Sequence, residues 1–197
     1  AERTIVNCIE SVYNQTVPVL EVSIIDDGSV DRTQLIVKEY IAEYKIDNLF
    51  IETQENSGPS KARNRGVKLS NGEWITFLDA DDSWKANKIK KQIEFAYSHP
   101  EFSLIGTLMR STKHISSNEF RVVTFDSLLF TNFILTSTVM VRKSIFELYY
   151  FDENMKYSED YKLWLQITKS HKTAVLLDEL VKYNALNDST HSLSNQL

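Results

Sequence analysis

The chain has 197 residues, of which 42% are hydrophobic, which is enough for one sizeable α/β core. Its 22 basic and 27 acidic residues give a formal net charge of −5, so bulk charge disfavours nucleic acid and anionic membranes as partners. A single cysteine, Cys8, excludes an intrachain disulfide, and no apolar run of about 18 residues predicts a membrane span. We therefore expect one soluble domain over residues 1–197.

The spacing of apolar residues predicts alternating helices and strands in the first half of the chain. This alternation favours an α/β fold with a mostly parallel sheet and helices packed on it, and such sheets bind ligands at the carboxyl ends of their strands. The predicted helices cover residues 5–13, 33–44 and 59–69, and the predicted strands cover residues 22–25, 49–51 and 74–78.

The second half is less regular, and no repeat, low-complexity tract or linker divides the chain. Its pattern predicts two further helices separated by strands, with a polar loop between the first two strands. The predicted helices cover residues 88–97 and 158–168, the strands residues 102–109, 139–141 and 172–177, and the loop residues 111–120.

Two of the predicted strands end in clustered carboxylates. Asp79, Asp81 and Asp82 follow the third strand, and such a cluster is tolerated when a divalent cation or water neutralises it. Oxygen ligands of this kind suit Mg²⁺ or Mn²⁺. Asp26 and Asp27 follow the first strand and could accept hydrogen bonds from a base or a ribose. A solvated acidic turn and a plain capped turn are the alternative interpretations.

Two helix starts carry charged residues that could act in a site. In "NSGPSKARN", the helix N-terminus, Lys61 and Arg63 could meet a phosphate, or the two cations could simply face solvent. In "YSEDY", Glu159 or Asp160 could be a general base or a helix cap, and without further context the cap is favoured.

Taken in order, "SVYNQT", "DDGSVD", "NSGPSKARNRG", "NGEWITFLDADD" and "YSEDYKLWLQI" resemble the family 2 glycosyltransferases. The resemblance covers nearly the whole chain and implies the GT-A nucleotide-sugar-binding fold. It also implies a donor-binding half over residues 1–100 and an acceptor-binding half over residues 101–197.

The resemblance implies a role for each candidate residue at its matching position. Asp26 and Asp27 would hold the donor base, and Asp79 would lie near the ribose and diphosphate. Asp81 would be the main ligand of Mn²⁺ or Mg²⁺, with Asp79 beside it and Asp82 as a weaker candidate. Donor contacts are implied for Lys61 and Arg63, the base role for Asp160, an acceptor-side role for Glu159, and a place near the metal and diphosphate for His191.

The implied reaction is a metal-dependent, inverting single displacement. Asp160 would take a proton from an acceptor hydroxyl, which attacks the anomeric carbon opposite the leaving nucleoside diphosphate. The implied donor is a nucleotide sugar, most commonly a UDP-sugar, and the implied acceptor is a glycan or a lipid-linked glycan. We expect a cytoplasmic protein that makes peripheral contact with the inner face of a membrane when the acceptor is lipid-linked.

The resemblance also predicts a break in the sheet. Family members begin with an apolar strand inside the sheet, whereas this chain starts at its opening helix. We therefore expect a central gap with unpaired backbone groups, and native residues upstream of Ala1.

Two other functions compete with transfer. "ITFLDADDS" also resembles the strand entry of haloacid-dehalogenase-type phosphohydrolases, in which Asp79 would be a nucleophile and Asp81 an acid or base. A catalytically inactive nucleotide-sugar-binding module is the other alternative. No G-x-G-x-x-G or Walker A motif is present, which disfavours a dehydrogenase or a P-loop enzyme.

Overall fold

The structure is a computed structural model that describes residues 1–108 and 119–183. The helices are α1 (Ile5–Tyr13), α2 (Thr33–Tyr44), α3 (Pro59–Leu69), α4 (Lys88–Ser98), α5 (Phe125–Phe130) and α6 (Glu159–Ser170). The strands are β1 (Val22–Asp26), β2 (Leu49–Thr53), β3 (Trp74–Thr76), β4 (Ser83–Trp84), β5 (Phe102–Leu108), β6 (Phe120–Val123), β7 (Met140–Arg142), β8 (Lys172–Glu179) and β9 (Val181–Lys182). Two 3-10 segments span Thr136–Thr138 and Lys143–Glu147.

The helices and strands predicted from apolar spacing are confirmed in the described ranges. Most of the loop predicted over residues 111–120 lies outside the described residues, and its last residue, Phe120, begins β6. The third strand is shorter than expected, because β3 ends at Thr76 and the next residues turn toward the acidic cluster. The predicted apolar face of α6 is fully buried, and it consists of Leu163, Trp164 and Ile167. This burial fixes the helix that begins with the two candidate acceptor-side carboxylates, Glu159 and Asp160.

The sheet is mixed, in contrast to the mostly parallel sheet expected from the sequence. The larger sheet has the order β3-β7-β5-β8-β6, and within it only β5 and β8 are parallel neighbours. A second sheet pairs β1 with β2 in parallel, and a third pairs β4 with β9 in antiparallel orientation. The sheet is mixed because β7 runs antiparallel to both of its neighbours, β3 and β5, and β6 runs antiparallel to β8.

The orientation of β7 decides what lies beside the acidic cluster. Because β7 runs antiparallel to β3, the residues that precede β7 lie at the carboxyl end of β3. Thr76 pairs with Met140, so the segment Thr136–Thr138 faces the turn at Asp79. Two hydroxyl-bearing residues of this segment thereby reach the candidate site.

The predicted gap in the sheet is present between β1 and β3. Among the described strands, β1 pairs only with β2 and β3 only with β7. Both strands line a cavity of about 630 Å³, which is otherwise walled mainly by apolar side chains, including Ile9 and Ile89. Arg63 and Asp79 are also among its lining residues.

One buried amide joins the two halves of the chain. Asn64 of α3 donates to the Phe151 carbonyl at 2.9 Å and accepts from the Phe151 N–H at 3.0 Å. This reciprocal pair holds the loop before α6 against α3, so the two helices keep a fixed separation. Within the described residues, no helix has the length and apolar character needed to cross a membrane.

Candidate functional site

The acidic cluster forms a tight turn that is stabilised by hydrogen bonds with Ser137, a residue of another segment. The Asp82 N–H donates to the Asp79 carbonyl at 2.9 Å, which closes the turn. Ser137 Oγ donates to Asp82 Oδ2 at 2.6 Å and accepts from the Asp79 N–H at 3.1 Å. Asp82 is therefore buried and engaged by the protein itself, whereas Asp81 is exposed. Of the three, Asp81 is best placed to meet a ligand from solvent.

Arg63 joins the acidic turn to α6. Its guanidinium donates to Asp79 Oδ1 at 3.0 Å and to Glu159 Oε1 at 2.7 Å. Burial alone would lower the pKa of Arg63, but the two carboxylates raise it overall. The sequence analysis expected Arg63 to contact a donor phosphate. In this structure Arg63 lies between two carboxylates that are each candidates for the site, and its contact with a donor phosphate stays a prediction.

Asp160 is held at the start of α6 by two donors. Thr136 Oγ1 donates to Asp160 Oδ2 at 3.0 Å, and the Tyr161 N–H donates to Asp160 Oδ1 at 2.7 Å. Burial raises the pKa of Asp160, while these two hydrogen bonds act in the opposite direction. A carboxylate whose pKa is raised and whose position is fixed is a better proton acceptor than a freely exposed aspartate.

The segment Thr136–Thr138 connects the base candidate to the acidic turn. Thr136 bonds Asp160, and Ser137 bonds both the side chain of Asp82 and the backbone of Asp79. Sequence analysis missed this segment. The only signal in the sequence was a run of three hydroxyl residues shortly before the apolar strand β7. Such runs are common in loops, so this one does not identify a functional site.

Asp26 and Asp27 are engaged by their own loops. Asp26 is buried, and its Oδ2 accepts from Gln34 Nε2 at 2.8 Å. Asp27 accepts from the N–H groups of Ser57 at 2.9 Å and Gly58 at 2.8 Å. The carboxylate of Asp27 thus occupies the N-terminus of α3, where the sequence analysis expected a phosphate to bind.

Gly28 allows this contact to form. Its φ is +76°, and a Cβ on this residue would come within 2.9 Å of the Asn56 nitrogen. A side chain there would separate the β1 turn from the loop before α3. Lys61 is exposed on α3, and its Nζ lies 3.5 Å from Ser57 Oγ, beside this loop and not beside the acidic turn. His191 lies outside the described residues.

Tyr183 is a further residue that sequence analysis missed. It follows β9, which pairs with β4 directly after the acidic turn. Burial raises the pKa of the Tyr183 phenol, and so do Asp82, Asp79, Asp81 and Asp160. The phenol therefore lies within electrostatic range of both the acidic turn and the base candidate. Its signal in the sequence was too weak to find, because a lone tyrosine after a short strand is common.

No group of three or more potential metal-binding side chains is assembled within residues 1–108 and 119–183. A Mg²⁺ or Mn²⁺ ion that bridges to substrate phosphates needs only one or two protein carboxylates. The exposed carboxylate of Asp81, with Asp79 two residues away, fits that smaller requirement. The donor set therefore suits an ion that arrives with a phosphate ligand rather than one held by the protein alone.

The chain is similar in sequence to proteins named as glycosyltransferases. The sequence profile described as Glycosyl transferase family 2 matches residues 1–153. A glycosyltransferase of Rickettsia bellii, named as uncharacterized, is 32% identical over 191 residues, which are 94% of this chain and 27% of that protein. In Escherichia coli, UDP-Glc:alpha-D-GlcNAc-diphosphoundecaprenol beta-1,3-glucosyltransferase WfgD is 30% identical over 182 residues, 89% of this chain and 69% of WfgD.

Among solved structures, residues 1–349 of S. aureus TarS in complex with UDP-GlcNAc superpose with a TM-score of 0.76 at 25% identity. The match covers 98% of this chain and 58% of that one. The chain thus spans about a quarter of the Rickettsia bellii relative and over half of the TarS fragment. The described elements therefore share the fold of a protein solved in complex with UDP-GlcNAc.

Proposed function

The chain belongs to glycosyltransferase family 2 and has the GT-A fold, and on that premise we propose that it transfers a sugar from a nucleoside-diphosphate sugar to an acceptor hydroxyl. The donor is a UDP-sugar, and the acceptor is a glycan or a lipid-linked glycan. The TarS complex with UDP-GlcNAc supports the class of donor, and the name of WfgD supports a lipid-linked acceptor.

One observation carries the proposal: a single connected set of side chains links the acidic turn to the base candidate. Arg63 ties Asp79 to Glu159, and Thr136–Thr138 ties the acidic turn to Asp160. A transferase needs its donor-diphosphate site and its acceptor base at a fixed separation, because the two substrates react in line. If the acidic residues formed only a solvated turn and Asp160 only a helix cap, neither the Arg63 contacts nor the contacts of Thr136–Thr138 would be required.

Asp160 acts as the general base in this proposal. Its two hydrogen-bond donors fix the carboxylate, and burial raises its affinity for a proton, which favours removal of the proton from an acceptor hydroxyl. The deprotonated oxygen attacks the anomeric carbon while the bond to the diphosphate breaks, so the configuration inverts. Glu159 positions Arg63, which in turn fixes Asp79 near the ribose and diphosphate of the donor.

Asp81, with Asp79, would hold a Mn²⁺ or Mg²⁺ ion. When bound, such an ion supplies charge neutralisation for the departing nucleoside diphosphate. The chain's own part is to hold the acidic turn still, which Ser137 does through Asp82 and the backbone of Asp79. Asp26 and Asp27 shape the loops around the donor base, and Lys61 lies beside them.

The proposal divides the chain into a donor-binding half over residues 1–100 and an acceptor-binding half over residues 101–197. A lipid-linked acceptor would bring the protein to the cytoplasmic face of a membrane as a peripheral partner. The phosphohydrolase alternative is not favoured, because Asp79 Oδ1 accepts from Arg63, which lowers its nucleophilicity, and because the family assignment accounts for the same motif.

A thermal-shift screen of nucleotides and nucleotide sugars, with and without Mn²⁺, tests the proposal. We expect a nucleoside diphosphate and its sugar to raise the melting temperature, and the rise to depend on the metal. Transfer is then measured with the selected donor and a panel of acceptors, and the anomeric coupling constant of the product reports inversion. Absence of any nucleotide-dependent shift would refute the proposal.

Two further outcomes separate the alternatives. Nucleotide binding without hydrolysis or transfer would favour the inactive binding module. A phosphate trapped covalently on Asp79 would favour the phosphohydrolase. Retention of configuration in the product would contradict the single-displacement reaction while leaving the transferase class in place.

A further inference from the structure

We infer that Tyr183 is a substrate-contacting residue whose hydroxyl donates a hydrogen bond to the diphosphate of the donor. The inference rests on the proposed function and extends it to a residue with no assigned role. Three observations support it: the position of Tyr183 relative to the acidic turn, the state of its hydroxyl, and the balance of charge around it.

The first observation is positional. β4 and β9 pair antiparallel, with Ser83 opposite Lys182 and Trp84 opposite Val181. Continuing this register by one residue sets Tyr183 across from Asp82, the last residue of the acidic turn. Residues at opposing positions of an antiparallel pair project to the same side. The pairing thus anchors Tyr183 at the turn that is proposed to meet the diphosphate.

The second observation concerns the hydroxyl. Tyr183 is 38% exposed, so its side chain reaches solvent at the edge of the site. Among residues 1–108 and 119–183, no side chain or backbone group forms a hydrogen bond with its hydroxyl. Ser137, by contrast, already bonds Asp82 Oδ2. The phenol is therefore an O–H donor at the mouth of the site that a ligand oxygen can accept from.

The third observation is the local charge. Four carboxylates act electrostatically on the Tyr183 phenol, namely those of Asp82, Asp79, Asp81 and Asp160. Arg63, which pairs with one of them, is already compensated by Asp79 and Glu159. A diphosphate entering between these carboxylates needs hydrogen-bond donors and a cation that it brings with it to offset their repulsion. A tyrosine hydroxyl supplies a donor there without adding charge.

The test compares Tyr183→Phe with the unchanged protein, using UDP and inorganic pyrophosphate as probes, each with Mn²⁺. The variant removes only the hydroxyl. We expect binding of both probes to weaken about tenfold by titration calorimetry, the size of effect typical for a hydrogen bond to a charged group. The melting temperature of the ligand-free protein should not change. Tyr150→Phe, which alters a tyrosine that is 67% exposed, is the control and should bind both probes normally.

The outcomes separate this inference from the proposed function. If the unchanged protein binds UDP but Tyr183→Phe binds both probes equally well, the inference is overturned and the proposed function stands. A lowered ligand-free melting temperature that accounts for the loss of binding would assign Tyr183 a purely structural part and also overturn the inference. If the unchanged protein binds neither probe, the proposed function fails and the inference fails with it.

Discussion

Arg63 donates a hydrogen bond to Glu159 at 2.7 Å, joining residues that lie 96 positions apart in the sequence. The same guanidinium reaches Asp79 at 3.0 Å. The side chains of Arg63 and Glu159 are only 16% and 11% exposed, so the pair is largely shielded from water. Such a contact fixes the start of α6 relative to the acidic turn.

We predict that Arg63→Met destabilises the fold by about 3 kcal/mol, because removing one member of a shielded ion pair leaves the other charge unpaired. Urea denaturation measures the change. The double variant Arg63→Met with Glu159→Gln should recover part of the loss, since it no longer leaves Glu159 as an unpaired buried charge.

Arg65→Met provides the matched control on the same helix. Arg65 pairs with Glu52 at the surface, where solvent screens the interaction. We expect only a small change in the free energy of unfolding for this variant. If Arg63→Met and Arg65→Met destabilise the protein equally, the shielded pair of Arg63 and Glu159 stabilises the fold no more than a surface pair does.

We predict that Asp160→Asn reduces sugar transfer by about 10²- to 10⁴-fold while donor affinity stays near normal, because the amide cannot accept the proton. Asparagine keeps one oxygen, which can still accept from either Thr136 or the Tyr161 N–H, so the side chain should stay close to its place. Initial rates and donor titration of the same preparation measure both quantities. Asp126→Asn, on the exposed first turn of α5, is the control. A matching loss of donor affinity would argue against the base role.

We predict that Thr136→Val moves the acidic limb of the kcat/KM profile to higher pH. The Thr136 hydroxyl donates to the ionised carboxylate of Asp160 and so lowers its pKa. Removing the donor raises that pKa further, and the base then loses its proton only at higher pH. In Thr138→Val, the lost hydroxyl bonded the Leu135 carbonyl instead, so its profile should keep the acidic limb in place.

Apolar spacing sufficed to predict the helices and strands that carry the acidic residues, because the buried face of each element is visible as a repeat of apolar residues in the sequence. The contacts of Arg63 could not be predicted in the same way. Lysine and arginine at a helix start usually face solvent or an anion, and only the fold brings Asp79 and Glu159 to the same guanidinium. Motif reasoning singled out these three residues without identifying them as one another's partners.

The role of Thr136 and Ser137 was missed for a topological reason. A parallel sheet would have placed the residues before β7 at the opposite end of β3, far from Asp79. The antiparallel pairing of β7 with β3 reverses that arrangement and delivers both hydroxyls to the site. Strand direction depends on long-range packing, which short-range spacing does not encode.

We predict that Asp81→Ala weakens Mn²⁺-dependent binding of UDP by about tenfold or more, with little effect on the fold, because Asp81 is exposed. Calorimetric titration of UDP with and without Mn²⁺ measures the effect. Asp47→Ala removes an exposed carboxylate elsewhere and should leave binding unchanged. An undiminished metal dependence in Asp81→Ala would rule out Asp81 as a ligand.

Lys88 is a fully buried lysine behind the acidic turn. Its Nζ donates to Gln92 Oε1 at 2.9 Å and to Thr76 Oγ1 at 3.1 Å. It also lies 4.2 Å from the ring centroid of Trp84, whose Nε1 donates to the Ser137 carbonyl at 2.9 Å. Burial lowers the pKa of Lys88 to about 7. The amine is therefore largely neutral in the folded protein above that pH.

This pKa predicts how stability depends on pH. An unfolded lysine keeps its proton up to about pH 10, so between about pH 7 and 10 the unfolded chain binds more protons than the folded one. Stability from this site therefore rises with pH in that window and is lost as pH falls through about 7. The slope contributed by the site is at most about 1.4 kcal/mol per pH unit.

We predict that Lys88→Met removes this slope. Urea denaturation at pH 7.5 and 8.5, a range of about one unit inside the window, compares the variant with the unchanged protein. The unchanged protein should gain more stability over that range, and the variant should be relatively more stable at the lower pH. Lys90→Met, which alters an exposed lysine on the same helix, should follow the unchanged protein. Parallel pH dependences for Lys88→Met and the unchanged protein would mean that Lys88 keeps its proton in the folded state, held by Gln92, Thr76 and the face of Trp84.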